Sequence, residues 1–448
     1  MRDLLDDASK RAIRYLDGLS HRGVMPDAAA LTGLAELDGT LPEHSCAPAE
    51  TLRLLDDFGS PATMASAGGR FFGFVIGGAL PVTVASNWLA TAWDQNAALQ
   101  GPARAVSALE ATALRWLLDL LGLPPHCAGA FVTGATMANF SALAAARHAV
   151  LARAGWSVEA DGLFGAPPIT VVIGEEAHPT LAKSLGLLGL GRSRVLRVPV
   201  DGQGRMRADR LPALPAPAIV CLQAGNVNTG AFDPFEDIVA QARDADAWVH
   251  VDGAFGLWAA ASRESAPLVA GMALADSWAT DAHKWLNVPY DSGLAFVRDA
   301  EALRSAMAIA ADYLPVGDAR DPSDFTPELS RRARGVDVWA ALKTLGRSGV
   351  AAMVERCCAH ARRFARELED AGFEILNDVV LNQVLACRGD AAMTQRLIAA
   401  LQAEGTCWCG TTCWQGRTAM RISVCSWATT DDDVTRSLAA MRRVARAL

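Results

Sequence analysis

Ala247-Trp248-Val249-His250-Val251-Asp252-Gly253-Ala254 is a short apolar run that ends on a carboxylate and a glycine. A run of this length, rich in Trp and Val and closed by a turn, reads as a buried parallel strand. Asp252 then falls at the C-terminal end, where open α/β sheets receive ligands. Comparable runs occur at Ala130-Phe131-Val132, Ile169-Thr170-Val171-Val172-Ile173, Ala218-Ile219-Val220-Cys221-Leu222 and Gly293-Leu294-Ala295-Phe296-Val297, separated by helical or loop stretches. That rhythm predicts a mostly parallel sheet with helices on both faces, an α/β fold.

Outward from this centre, Leu4, Leu5, Ala8, Ala12, Ile13 and Leu16 recur at helical spacing, so the first 60 or so residues form an amphipathic arm that needs a surface to cover. Phe71-Phe72-Gly73-Phe74-Val75-Ile76-Gly77-Gly78 reads as a close-packed loop lining a pocket, or equally as core filler. A helix is expected from Pro102 to Leu123, and a polar interval from Pro315 to Pro327 reads as a mobile loop. Beyond it come a helix from Val338 to Leu368, strands at Asn382 to Cys387 and Thr418 to Cys425, and helices around Met393 to Glu404 and Asp431 to Leu448, a smaller α+β C-terminal domain. The expected division is an arm at 1–70, a large domain at 71–314, a loop and connector at 315–335 and a small domain at 336–448.

The chain has 448 residues, 41 basic against 49 acidic, for a net charge of −8. No basic run marks a nucleic-acid footprint, and neither nucleic acid nor a membrane is expected as a partner. Met1-Arg2-Asp3-Leu4-Leu5-Asp6-Asp7 is charged where a signal peptide is apolar, and no run of about 18 apolar residues exists, so a cytoplasmic protein is expected. Ten cysteines scattered along the chain favour free thiols over disulfides. Cys407, Cys409 and Cys413 lack the paired spacing of a zinc site, and strand alternation explains them better. His250 and Asp252 form an HxD pair with no third ligand, so no metal is expected.

Two groups suit pyridoxal phosphate (PLP) chemistry. Lys284, in Asp281-Ala282-His283-Lys284-Trp285, offers an amine for the cofactor aldehyde. Asp252 offers a carboxylate to keep the ring nitrogen protonated. Thr133-Gly134-Ala135-Thr136 follows one predicted strand and opens a helix, so its N–H groups and hydroxyls make an anion site suited to a phosphate monoester. Glu175-Glu176-Ala177-His178 sits just past another strand. There His178 is either a solvated loop residue or a ring that lies over a planar ligand and assists proton transfer. His283, beside Lys284, projects to the opposite side in extended backbone and could reach the phosphate.

These residues carry a resemblance. Ala275-Asp276-Ser277-Trp278-Ala279-Thr280-Asp281-Ala282-His283-Lys284-Trp285-Leu286, Val249-His250-Val251-Asp252-Gly253-Ala254-Phe255, Glu176-Ala177-His178, Gly101-Pro102 through Trp116-Leu117-Leu118, and Ser330-Arg331-Arg332-Ala333-Arg334 resemble the group II PLP-dependent decarboxylases, which include the aromatic-L-amino-acid and glutamate decarboxylases. The resemblance spans about residues 71 to 430. It implies a fold-type-I, PLP-dependent transferase-like architecture, a homodimer, and loss of carbon dioxide from an L-amino acid, aromatic or acidic, to leave an amine.

The same resemblance implies roles residue by residue. Lys284 is the covalent anchor of the cofactor, Asp252 the partner of its ring nitrogen, His178 the ring on one face and Ala254 the contact on the other. Gly134, Ala135, Thr136, His283 and Ser277 or Thr280 hold the phosphate, and Asn226 stands beside the cofactor. Arg421 would bind the substrate carboxylate, unless it serves an ion pair. Apart from the resemblance, the aromatic run at Phe71, Phe72 and Phe74 makes Phe72 a candidate substrate contact, with core packing the equal alternative. One departure matters: where the family's loop carries a proton-donating tyrosine, Ser323-Asp324-Phe325-Thr326-Pro327 has phenylalanine, leaving Tyr313 as a substitute. An aldehyde product, or aminotransfer on the same fold, is therefore the alternative outcome. A non-catalytic, PLP-binding regulator is the contrasting reading, opposed by the intact Lys284 and Asp252 and by the lack of any appended basic module.

Overall fold

A computed structural model describes residues 1–309 and 320–448. Tyr313 and most of the expected loop's first half lie outside the described residues.

The core of the larger unit is a seven-stranded sheet built from β1 (Ala128–Val132), β2 (Thr170–Gly174), β3 (Leu196–Val198), β4 (Ala218–Gln223), β5 (Trp248–Asp252), β6 (Ser277–Asp281) and β7 (Gly293–Val297), in the order β1-β7-β6-β5-β4-β2-β3. Every residue of β1, β4, β5, β6 and β7 is buried, as expected of strands covered on both faces. Neighbours from β6 through β3 run parallel, while β7 runs antiparallel between β6 and β1.

Register decides what meets at the edge. Gln223 pairs with Asp252 and Asp252 with Ala279, so β4, β5 and β6 end level. Gly293, the first residue of β7, pairs with both Val132 and Asp281. The loop after β1 and the turn after β6 therefore emerge side by side. A side chain at Gly293 would put its Cβ 2.4 Å from Gly134 Cα, so glycine is what lets the Thr133–Thr136 loop cross this strand. The helix Ala135–Arg153 follows. Its buried face is largely alanine (Ala138, Ala142, Ala144, Ala145, Ala146), which brings its axis close to the sheet.

The compact units divide the chain differently from the expected boundaries. The larger comprises residues 77–362 and 377–383, the smaller residues 1–76, 363–376 and 384–448. Backbone pairing explains the first shift: Phe72 N–H donates to Trp408 O (2.8 Å), Ser423 N–H donates to Phe72 O (2.9 Å), and Phe71 stacks on Trp408 with centroids 5.0 Å apart. Polar anchoring explains the second. Ser86 Oγ and Asn87 Nδ2 both donate to Asp337 at 2.8 Å, tying the start of the helix Gly335–Glu369 into the larger unit. Arg331 adds a fully buried ion pair, its Nη2 donating to both oxygens of Glu110 at 2.7 and 2.8 Å, the kind of pair whose loss of one partner costs about 3–5 kcal/mol.

The smaller unit holds a four-stranded sheet of β8 (Glu374–Ile375), β9 (Gln383–Cys387), β10 (Gly410–Trp414) and β11 (Arg417–Ser423), ordered β10-β11-β9-β8. All ten cysteines are free thiols, eight of them buried. Cys407 and Cys409 are buried and interact with each other, while Cys413 is exposed, and among the described residues no three His, Cys, Asp or Glu side chains are grouped to hold a metal ion. Among the described residues no helix is long and apolar enough to cross a membrane.

Candidate active site

The lysine turn is held from several sides. Asn287, at a left-handed φ of 55°, donates from Nδ2 to the carbonyls of Lys284 (3.2 Å) and Trp285 (2.8 Å). Gly77 packs so tightly beneath that a Cβ there would sit 2.2 Å from Lys284 O. Lys284 Nζ lies 3.0 Å from Asp281 Oδ2, and Asp281 Oδ1 accepts the Ala135 N–H at 2.5 Å. One carboxylate thus ties the amine to the first residue of the loop's helix. His283 Nδ1 accepts the Ser292 N–H (3.1 Å), which leaves the proton of the neutral ring on Nε2, 3.5 Å from Asp281 Oδ1. Burial depresses the His283 pKa, against the pull of Asp281. Its ring edge lies against Gly134, whose Cβ would be 3.2 Å from His283 Cε1.

Asp252 is 5% exposed and takes one protein donor on each oxygen: Asn139 Nδ2 on Oδ2 (3.0 Å) and Ala254 N–H on Oδ1 (3.2 Å). Burial raises its pKa, while the charges of His178 and Lys284 and the two donors oppose the rise. His178 is the N-cap of the helix Pro179–Leu187; its Nδ1 accepts the Thr180 N–H at 3.3 Å. It lines one cavity with Asp252, Gln223, Cys221 and Glu176.

The donor set fits the implied cofactor. Each carboxylate oxygen accepts about two hydrogen bonds, so Asp252 retains capacity for a protonated ring nitrogen. Lys284 supplies the amine beside the loop, and Gly134, Ala135 and Thr136 supply the helix start where a phosphate is favoured.

The sheet edge also gathers Ala254 and Thr280, whose hydroxyl lies 3.4 Å from Ala254 O. Four expectations need correction. Ser277 is at the opposite end of β6, wholly buried, its Oγ engaged with Trp248 Nε1 and His250 Nδ1, so it is not a phosphate ligand. Asn226 is also wholly buried and committed to protein: Nδ2 donates to Glu176 (3.1 Å), and Oδ1 accepts from the Asn228 and Thr229 amides. It shapes the loop after β4 and is not a cofactor contact. Phe72 is 1% exposed and packs edge-on against Phe364 at 5.0 Å in the smaller unit's core, so it is not a substrate contact.

Phe325 is the fourth. It sits in the large unit's hydrophobic cluster with the Arg320 guanidinium 4.3 Å over its ring, and Arg320 donates to Gly129 O near the start of β1, the end away from Gly134. A residue there is not a donor to substrate. Phe325→Tyr is therefore expected to leave products unchanged and to lower stability by about 1–3 kcal/mol, the cost of a buried hydroxyl without a partner. Thermal unfolding and product analysis check both; a shifted product ratio would place residue 325 at the site after all.

Arg421 lies half-buried on β11 of the smaller unit. Sequence reading missed Asp281, legible only as an acid three residues before Lys284. It also missed Asn139 as the donor to Asp252.

The profile described as the pyridoxal-dependent decarboxylase conserved domain matches residues 64–386. An aromatic-L-amino-acid decarboxylase of Bacillus atrophaeus is 27% identical over 324 residues, covering 69% of this chain and 65% of that protein, just under two thirds of its length. An L-2,4-diaminobutyrate decarboxylase of Rhizobium meliloti (strain 1021) is 29% identical over 389 residues, covering 81% and 74%. The crystal structure of Oryza sativa TDC with PLP and tryptamine superposes with a TM-score of 0.92 at 22% identity, covering 100% of this chain and 97% of that one, a likeness of fold. Since the profile match takes in every strand of the large sheet and both loops that meet at Gly293, this chain belongs to the pyridoxal-dependent decarboxylase family.

Proposed function

We propose that this protein decarboxylates an L-amino acid with PLP, releasing an amine and carbon dioxide. The observation that carries the reading is the placement of Lys284 Nζ and the Asp252 carboxylate at one sheet edge beside the Thr133–Thr136 loop, with the Lys284 charge acting on Asp252. Bound there, PLP supplies a sink for the electron pair released at the substrate α-carbon. Gly134, Ala135, Thr136, His283 and Thr280 hold the phosphate. Asp252 keeps a proton on the ring nitrogen, and two donors hold the carboxylate in place. Lys284 provides the amine that carries the cofactor between turnovers, and Asp281 orients it. His178 covers one face of the ring and Ala254 the other. With Phe325 in the core, His178 and Lys284 are the groups assigned to return a proton to the α-carbon, and an aldehyde product stays the alternative outcome.

Mass spectrometry of products from a panel of aromatic, acidic and diamino acids tests the reaction. Amine with matching carbon dioxide supports it; aldehyde or keto acid as the main product overturns it.

A homodimer belongs to the same proposal. The helix Arg2–Gly18 has no buried residue, and Leu5, Ile13 and Leu16 stand exposed along it, an apolar face that a second copy would cover. Light scattering is expected to give twice 47.2 kDa; a fully active monomer counts against it.

A further inference from the structure

Behind Asp252 the polar contacts continue past Asn139 into the sheet. Asn139 Nδ2 lies 3.0 Å from Asp252 Oδ2, Asn139 Oδ1 2.8 Å from His250 Nε2, His250 Nδ1 2.9 Å from Ser277 Oγ, and Ser277 Oγ 2.9 Å from Trp248 Nε1. Asn139, His250 and Ser277 have no exposure and Trp248 has 4%, so water does not supply alternative partners. The strand register produces the alignment: His250 is level with Ser277 across β5 and β6, and Trp248 stands two residues before His250 on the same face of β5.

Chemistry sets the direction of every bond. An indole N–H can only donate, and a carboxylate can only accept. At one end Trp248 therefore donates to Ser277 Oγ, whose own proton is left for His250 Nδ1. At the other, Asn139 must turn its NH2 to Asp252 and its Oδ1 to His250, which requires a proton on Nε2. The Asn139 end fixes the proton on Nε2, and in the neutral ring Nδ1 is then the acceptor to which Ser277 Oγ donates while it accepts from Trp248. Burial agrees, since it pushes the His250 pKa down to about 3.

We propose that Trp248, Ser277, His250 and Asn139 are positioning residues that form a one-way hydrogen-bond relay. The relay locks His250 in its Nε2–H form and aims a fixed donor at Asp252, holding the carboxylate ionised for the ring nitrogen. This also accounts for the His250/Asp252 pair without a metal, because both imidazole nitrogens are occupied. The inference rests on the proposed function for the role of Asp252, but the relay itself is measurable without turnover.

The first measurement uses histidine-15N-labelled wild-type protein without added cofactor, with His250 assigned by its absence in His250→Gln. Long-range 1H–15N spectra are expected to show His250 neutral, protonated on Nε2 only, from pH 6 to 8 (roughly the window in which an ordinary histidine changes charge). An Nδ1–H or doubly protonated His250 overturns the relay. The second loads wild type and Asn139→Leu with ring-15N PLP. In the variant the ring-nitrogen signal is expected to move toward the unprotonated position, and kcat to fall about 10–100-fold, the range typical of removing a group that orients a catalytic ligand, with KM little changed. An unmoved ring-nitrogen signal overturns the role assigned to Asn139. If Asn139→Leu does not fold, Ser277→Ala replaces it: His250 is expected to lose its single sharp tautomer signature, and an unaltered spectrum overturns the relay. Should wild type fail to bind PLP at all, the proposed function falls while the tautomer result stands.

Discussion

Lys284→Ala is expected to lose both the borohydride-reducible PLP linkage and turnover, the latter by at least about 10³-fold. Nζ reaches its position because the Lys284 carbonyl is clasped by Asn287 and backed by Gly77, and because Asp281 stands 3.0 Å from the amine. Another lysine does not readily substitute: Lys183 belongs to the helix Pro179–Leu187 and Lys343 to the helix Gly335–Glu369, neither of them in the turn after β6. Reduction with borohydride followed by peptide mass mapping reads the linkage directly. A reducible PLP adduct found in wild type on a peptide other than the one carrying Lys284, or wild-type turnover in Lys284→Ala, would remove Lys284 from its role. The protein should still fold, since the side chain is 21% exposed and its truncation opens little of the core.

The large sheet was legible in the sequence where strands are continuous and apolar, as in Ala218–Gln223 and Gly293–Val297, because burial on both faces leaves no room for polar residues. Ser277–Asp281 escaped that reading. Ser-Trp-Ala-Thr-Asp is a polar pattern, tolerated inside a sheet only because Ser277 is satisfied across the strands by His250 and Trp248. Lys284, Asp252, His178 and the 133–136 loop stood out as candidates because their chemistry is carried by residue type at strand ends, and the structure brings Lys284 and the loop together through Asp281. The misassigned residues share another cause. Asn226 and Ser277 have the right chemistry but spend it on neighbouring protein atoms, and no spacing rule tells a free polar group from a committed one. Phe325 and Phe72 were misread because an aromatic in a loop-like segment can face a ligand or fill a core, and tertiary packing decides. Asp281 was invisible for a topological reason: it meets Ala135 only because β7 runs antiparallel between β1 and β6.

Asp252→Ala separates the two handles of the site. The variant is expected to keep the borohydride-reducible linkage at Lys284, because the lysine turn is built from Asn287, Gly77 and Asp281 and owes nothing to Asp252. Turnover is expected to fall roughly 10²–10³-fold, the scale for removing one preorganised electrostatic group from the centre where charge develops. The physical reason is that an unprotonated ring nitrogen is a poor electron sink, and Asp252, a buried carboxylate at the sheet edge, is the group proposed to hold that proton. Replacement by alanine also leaves Asn139 Nδ2 facing an apolar methyl, so about 1–3 kcal/mol of stability is lost with it. Turnover and stability must therefore be measured together, the first at a temperature where the variant remains folded. A fully folded Asp252→Ala protein with wild-type turnover would assign the ring nitrogen to another partner and detach the Asn139–His250–Ser277 chain from catalysis. A folded variant with the linkage intact and turnover lost leaves the carboxylate as the electronic half of the site and Lys284 as the covalent half.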